Sequence, residues 1–123
     1  MAKILMVDDD VDFVNATKAV LENKGHTVVT AHNASDGEEK IKAENPEIIF
    51  LDIMMEKPDD GIALARKLRK ENIVTPIIML SGISSVTGYS YDKCDSVMPC
   101  TDFLSKPVSP QVLLEKVDNL VKK

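Results

Sequence analysis

The chain alternates short apolar runs with amphipathic stretches, and three of the runs stop abruptly at a polar residue. Ile4 to Val7 meets Asp8, Ile48 to Leu51 (within a strand read from Glu47) meets Asp52, and Ile77 to Leu80 meets Ser81. Continuous apolar runs of this kind suit parallel strands buried on both faces. Helical spacing fills the intervals. Phe13, Ala16 and Val20, with Val14 and Leu21 beside them, predict an amphipathic helix from about Val11 to Lys24. Asp9 or Asp10 is placed to cap its start, and Gly25 suits the left-handed position past its end. Thr27 to Ala31 reads as a second strand. Ser35 with Glu38 offers a capping box for a helix that Gly37 weakens and Asn45-Pro46 ends. Ile62, Leu64, Ala65 and Leu68 mark a third helix. Thr101 to Leu104 reads as a short fifth strand. Ser109-Pro110 opens a last helix whose apolar stripe is Leu113, Val117, Leu120 and Val121. Five β-α units of this kind predict an α/β fold, a doubly wound parallel sheet with helices on both faces. The 123 residues fit one domain spanning 1–123, with no output domain following.

Composition narrows the function. With 15 basic and 20 acidic residues the net charge is -5, which disfavours nonspecific binding to nucleic acid or to an anionic membrane surface, and no direct nucleic-acid partner is expected. No apolar run is long enough to span a bilayer, and the start lacks the pattern of a signal peptide. Two cysteines, Cys94 and Cys100, without such a signal predict free thiols and a cytoplasmic location. They make a poor zinc site, since His26 and His32 flank the second strand. The six methionines read as core filler.

In a doubly wound sheet, ligands bind beyond the carboxyl ends of the strands. Strand one ends in Asp8-Asp9-Asp10, strand three in Asp52, and strand four in Ser81-Gly82, while strand five leads into Lys106-Pro107. If strands one and three are neighbours, three carboxylates converge. Two such charges about 4 Å apart repel by roughly 4 kcal/mol at an effective dielectric near 20. Protonation or a bound cation relieves that repulsion. Hard oxygens beside open water suit Mg²⁺. A cation, a lysine ammonium and a serine hydroxyl together match the oxygens of a phosphoryl group, and a carboxylate can be the nucleophile that accepts it. Taken singly, each feature is also an ordinary turn, cap or solvated residue.

Taken together, these motifs resemble those of the receiver domains of two-component response regulators. Ile4-Leu5-Met6-Val7-Asp8-Asp9-Asp10 is similar to the family's acidic motif, and Ile48-Ile49-Phe50-Leu51-Asp52-Ile53-Met54-Met55 to its phosphoacceptor motif. Ile77-Ile78-Met79-Leu80-Ser81-Gly82 resembles the switch-hydroxyl motif, and Asp102-Phe103-Leu104-Ser105-Lys106-Pro107 the lysine motif. The resemblance implies a flavodoxin-like (βα)5 fold with five strands in the order 2-1-3-4-5. It implies that Asp52 takes a phosphoryl group from the phosphohistidine of a histidine kinase. Asp8 and Asp9 would hold Mg²⁺, or Mn²⁺ in its place, with Asp52 and the backbone carbonyl of Met54 as further ligands. Ser81 and Lys106 would each contact a phosphoryl oxygen, Lys106-Pro107 would be a cis bond, and Phe103 would be the switch aromatic. The signalling face would comprise the segment 82–100, strand five and the last helix.

The chain departs from the family in two places. Proline stands at Pro58, where many members have it at the position of Glu56, and Gly61 comes one residue late. The stretch from Gly82 to Cys100 is longer than usual. Met54 and Ile83, two residues after Asp52 and Ser81, are apolar where the family's attacking water passes, which predicts slow loss of phosphate. The expected role is a phosphorylation switch acting on a protein partner, or a relay to a histidine phosphotransfer protein, and not a multiple-turnover enzyme. An aspartyl-phosphate phosphohydrolase would carry a second Asp where Met54 stands, and a flavin carrier would have a Gly/Ser/Thr-rich loop after strand one in place of acids.

Overall fold

A computed structural model describes residues 2–52, 60–81, 101–105 and 109–121; the side chains of Ser81, Asp102, Phe103, Ser105 and Val121 lie outside that description. Its strands are β1 (Lys3–Val7), β2 (Thr27–Ala31), β3 (Ile48–Asp52), β4 (Ile77–Ser81) and β5 (Asp102–Ser105). Its helices are α1 (Val11–Asn23), α2 (Ala34–Glu44), α3 (Asp60–Lys70) and α4 (Pro110–Val121). The strands pair in parallel in the order β2-β1-β3-β4-β5. This is an α/β fold of the flavodoxin-like kind.

Strand alternation sends side chains to opposite faces, and each face carries its own core. Leu5, Val7, Ile49, Leu51, Ile77 and Met79 pack with Ile41 of α2 and with Ile62, Leu64, Ala65 and Leu68 of α3. Ile4, Met6, Ile48, Phe50, Ile78 and Leu80 pack with Leu21 of α1 and with Leu113 and Val117 of α4. Both faces of the central strands are therefore covered, which is why their sequences read as unbroken apolar runs.

Several local expectations need correction. The buried face of α1 is Val14, Thr17 and Leu21, while Ala16 is exposed. Val14 and Leu21 stand on the buried face as expected and Phe13 packs half-buried against the core; only Ala16 falls outside, and Thr17, which apolar spacing passes over, takes its place. The cap of α2 is Asn33, whose side chain accepts from the Asp36 N–H at 2.7 Å, and not Ser35. Glu38 does not turn back to that helix start. It bridges Lys42 at 3.1 Å and Lys67 of α3 at 2.9 Å, and Lys42 also meets Glu71 at 3.3 Å. Gly37 sits in the first turn of α2, buried. Other signals hold. Asp10 caps α1 by accepting from the Phe13 N–H at 3.1 Å, Gly25 has φ of 93°, and Ser109 Oγ accepts from the Val112 N–H at 3.3 Å.

At the other edge, Thr101 anchors β5 to β4. Its N–H donates to the Ile77 carbonyl at 2.7 Å, and its hydroxyl accepts from the Ile77 N–H at 3.1 Å.

Candidate functional site

The site follows from register. Val7 of β1 is paired with Leu51 of β3, so the next residues, Asp8 and Asp52, leave adjacent strands side by side. From β1 the chain passes to β2 on one side and then to β3 on the other, so these two acids stand where the winding reverses. Such a switch point is the preferred ligand position in open parallel sheets.

The three consecutive aspartates have separate roles. Asp8 is fully buried; its N–H donates to the Ala31 carbonyl at 3.0 Å, and its Oδ1 accepts from the Asp10 N–H at 2.9 Å. Asp9 is exposed. Asp10 is turned to the α1 start as its cap. Asp8, Asp9 and Asp52 each offer one carboxylate oxygen, and these atoms all lie within 4.8 Å of one another. Asp52 is only 5% exposed.

This donor set fits a small hard cation. In an octahedral Mg²⁺ shell of about 2.1 Å radius, opposite ligands stand about 4.2 Å apart. A group spread over 4.8 Å closes on such an ion by small side-chain rotations or through a water. Asp9 faces solvent, which leaves room for the waters that Mg²⁺ retains.

Sequence reasoning placed His32 beside β2 but gave it no further part. Its Nδ1 lies 3.2 Å from the Asp8 carbonyl and donates to it when the proton is on that nitrogen. The signal was available, since His32 is the first residue past the carboxyl end of β2, level with Asp8 beyond β1.

The other expected site residues are only partly covered. Ser81 is paired with Ser105 in the β4–β5 register, one step beyond the Asp52–Leu80 pair, so its backbone stands at the site's edge. Phe103 lies within β5, opposite Met79. The side chains of Ser81 and Phe103, and the whole of Met54, Lys106, Ile83, Cys94 and Cys100, lie outside the described residues. Among the described residues no helix is long and apolar enough to cross a membrane.

Comparison with known proteins converges on one family. A family model described as the response regulator receiver domain matches residues 4–118. The alkaline phosphatase synthesis transcriptional regulatory protein PhoP of Bacillus subtilis is 31% identical over 122 residues, covering 98% of this chain and 49% of that protein. The transcriptional regulatory protein DltR of Streptococcus agalactiae is 30% identical, covering 94% of this chain and 50% of that protein. The chain thus spans about half the length of the curated relatives it matches. Among solved structures, the receiver domain of the Francisella response regulator 1452 superposes with a TM-score of 0.85 at 32% identity, covering 99% of this chain and 98% of that one. The BeF3-activated N-terminal receiver domain of Klebsiella pneumoniae RstA gives 0.81 at 30% identity, covering 98% and 99%. The curated relatives are named as regulators of transcription, so they lend no support to the expectation that nucleic acid is not a partner; that expectation rests on the acidic balance of these residues alone.

Proposed function

The chain belongs to the response regulator receiver domain family, and from that premise we propose that it is a phosphorylation switch whose acceptor is Asp52. The observation that carries the reading is the meeting of Asp8, Asp9 and Asp52 oxygens within 4.8 Å at the carboxyl ends of β1 and β3. An oxygen of the Asp52 carboxylate attacks the phosphorus of a histidine kinase's phosphohistidine. The new O–P bond forms as the N–P bond breaks, and the electron pair returns to the imidazole. Burial of Asp52 supports this role, because a nucleophile held in a poorly hydrated site is shielded from competing water.

Asp8, Asp9, Asp52 and the Met54 carbonyl would hold Mg²⁺, or Mn²⁺ in its place. When bound, the ion neutralises charge shared by the carboxylates and the incoming phosphoryl group. The Asp10 N–H keeps the Asp8 carboxylate oriented through its bond to Oδ1. Ser81 donates its hydroxyl to one phosphoryl oxygen and Lys106 its ammonium to another. Phe103 then turns into the space that Ser81 vacates. The existence of a related receiver domain activated with BeF3, a group shaped like a phosphoryl, supports the same chemistry here.

Phosphorylation adds about -1.5 to -2 charge at the site. Moving a two-state equilibrium from 1:99 to 99:1 takes about 5.5 kcal/mol of differential binding, which new charge-assisted contacts to Ser81 and Lys106 can supply. The signal passes to a protein partner through the face comprising residues 82–100, β5 and α4. The chain turns over no substrate beyond its own phosphate, since Met54 stands where a phosphohydrolase needs a second acid. We place this activity in the cytoplasm, where the histidine kinase's phosphodonor domain is reached.

Incubation with acetyl phosphate and Mg²⁺ followed by intact-mass measurement tests the reading. The wild-type chain gains one phosphate; Asp52→Asn gains none, and excess EDTA blocks labelling. A phosphate adduct on Asp52→Asn, or full labelling in EDTA, overturns it.

A further inference from the structure

Gly37 lies in the opening turn of α2, buried against the sheet. A Cβ placed on it stands 2.9 Å from Val7 Cγ1, 3.0 Å from Val7 Cγ2 and 3.5 Å from Leu64 Cδ2. We propose that Gly37 is a positioning residue for the acidic site: by letting α2 lie directly on Val7, it sets the end of β1 and hence the placement of Asp8 among the carboxylates. The inference rests on the reading that this cluster holds a divalent cation.

Val7 is the last residue of β1, and Asp8 follows it directly. Both γ carbons of Val7 meet the added Cβ, so rotating this β-branched side chain to another staggered position still leaves one methyl facing it. The side chain is fully buried among Leu5, Ala31, Leu51 and Leu64, so it has no open space to enter. Either α2 or the end of β1 must give way. Movement of Val7 is shared with the site on three sides. It carries Asp8 covalently, it is paired with Leu51, which precedes Asp52, and it is paired with Ala31, whose carbonyl holds the Asp8 N–H at 3.0 Å. Mg²⁺ demands near-ideal octahedral geometry, and the carboxylates already need side-chain rotation to reach it, so displacing the end of β1 adds to the cost of binding.

The clash suggests its own rescue, because shortening Val7 removes both struck atoms. Mn²⁺ binding is titrated by electron paramagnetic resonance, and Mg²⁺ by competition, for the wild type, Gly37→Ala, Val7→Ala and the double variant. Gly37→Ala is expected to weaken binding roughly tenfold, the lower end of what loss of an outer support costs a metal site, with the double variant within about twofold of the wild type. Urea unfolding is measured in parallel. The double variant is expected to be less stable than the wild type, having lost buried methyls, and yet to bind the ion as well. That separates positioning from stability. Wild-type affinity in folded Gly37→Ala overturns the proposal, as does weak binding in the double variant. Should Gly37→Ala not fold, the double variant decides alone: wild-type affinity supports the proposal, and weak binding or failure to fold overturns it. If the wild type itself binds neither ion, the reading of the site fails first and this proposal with it.

Discussion

Replacing Asp8 by Asn should make the metal-free protein more stable. Asp8 is fully buried, and its charge lies within 4.8 Å of charges on Asp9 and Asp52. At that outer separation two unit charges repel by about 3.5 kcal/mol at an effective dielectric of 20 and about 0.9 kcal/mol at that of water. The buried Asp8–Asp52 pair belongs nearer the first value, whereas Asp9 is exposed, so its pair with Asp8 is discounted toward the second. Asn keeps an oxygen for the Asp10 N–H, so the turn into α1 survives. Setting the cost of burying a new amide against the relieved repulsion leaves a net gain of about 1–3 kcal/mol. For a small domain that moves the urea midpoint upward by about 1 M. Urea unfolding in EDTA, then repeated with saturating Mg²⁺, reads it directly. The wild type should gain stability on adding Mg²⁺, and the variant should gain much less. A variant less stable than the wild type in EDTA, with an undiminished response to Mg²⁺, would refute the idea that these acids repel one another in wait for a cation.

Two further outcomes follow from other parts of the molecule. Hydrogen bonds from Lys67 and then Lys42 hold the Glu38 carboxyl below its ordinary value of 4.5, so its contribution to stability is present above that pH and fades as pH falls through the lowered value. Glu38→Gln should therefore cost about 0.5 kcal/mol at neutral pH, a surface-bridge magnitude, and chemical unfolding should show the difference closing in acid. Met54→Asn, which puts a polar residue two positions after Asp52, should hasten loss of phosphate from the labelled protein; an unchanged decay rate would remove any role for Met54 in excluding water.

The strand ends were legible because the chemistry there depends on few variables. A run such as Ile48 to Leu51 is apolar because both faces of β3 are covered, and its interruption by Asp52 stands out for that reason. Helix details were harder, because capping and burial are decided by neighbours distant in sequence. Ser35 and Glu38 have the spacing of a reciprocal cap, yet Glu38 is drawn to Lys67, which α3 brings alongside. Thr17 is buried in α1 although its residue type does not announce it. Gly37 read as a weakness in α2; that a Cβ built there would stand 2.9 Å from Val7 Cγ1, so that a neighbour must shift, depends on packing across the sheet that the sequence does not show. Which of Asp9 and Asp10 caps α1 was likewise open in the sequence, since either residue type suffices; the Phe13 N–H selects Asp10.

The identity of the residue that carries phosphate is the claim on which the mechanism stands. Borohydride reduces an acyl phosphate on aspartate to homoserine, so treating the phosphorylated protein and weighing its peptides locates the acceptor. Conversion confined to position 52 is the predicted result. Homoserine at position 8 or 9, or an acid-stable phosphate elsewhere in the chain, would contradict the account.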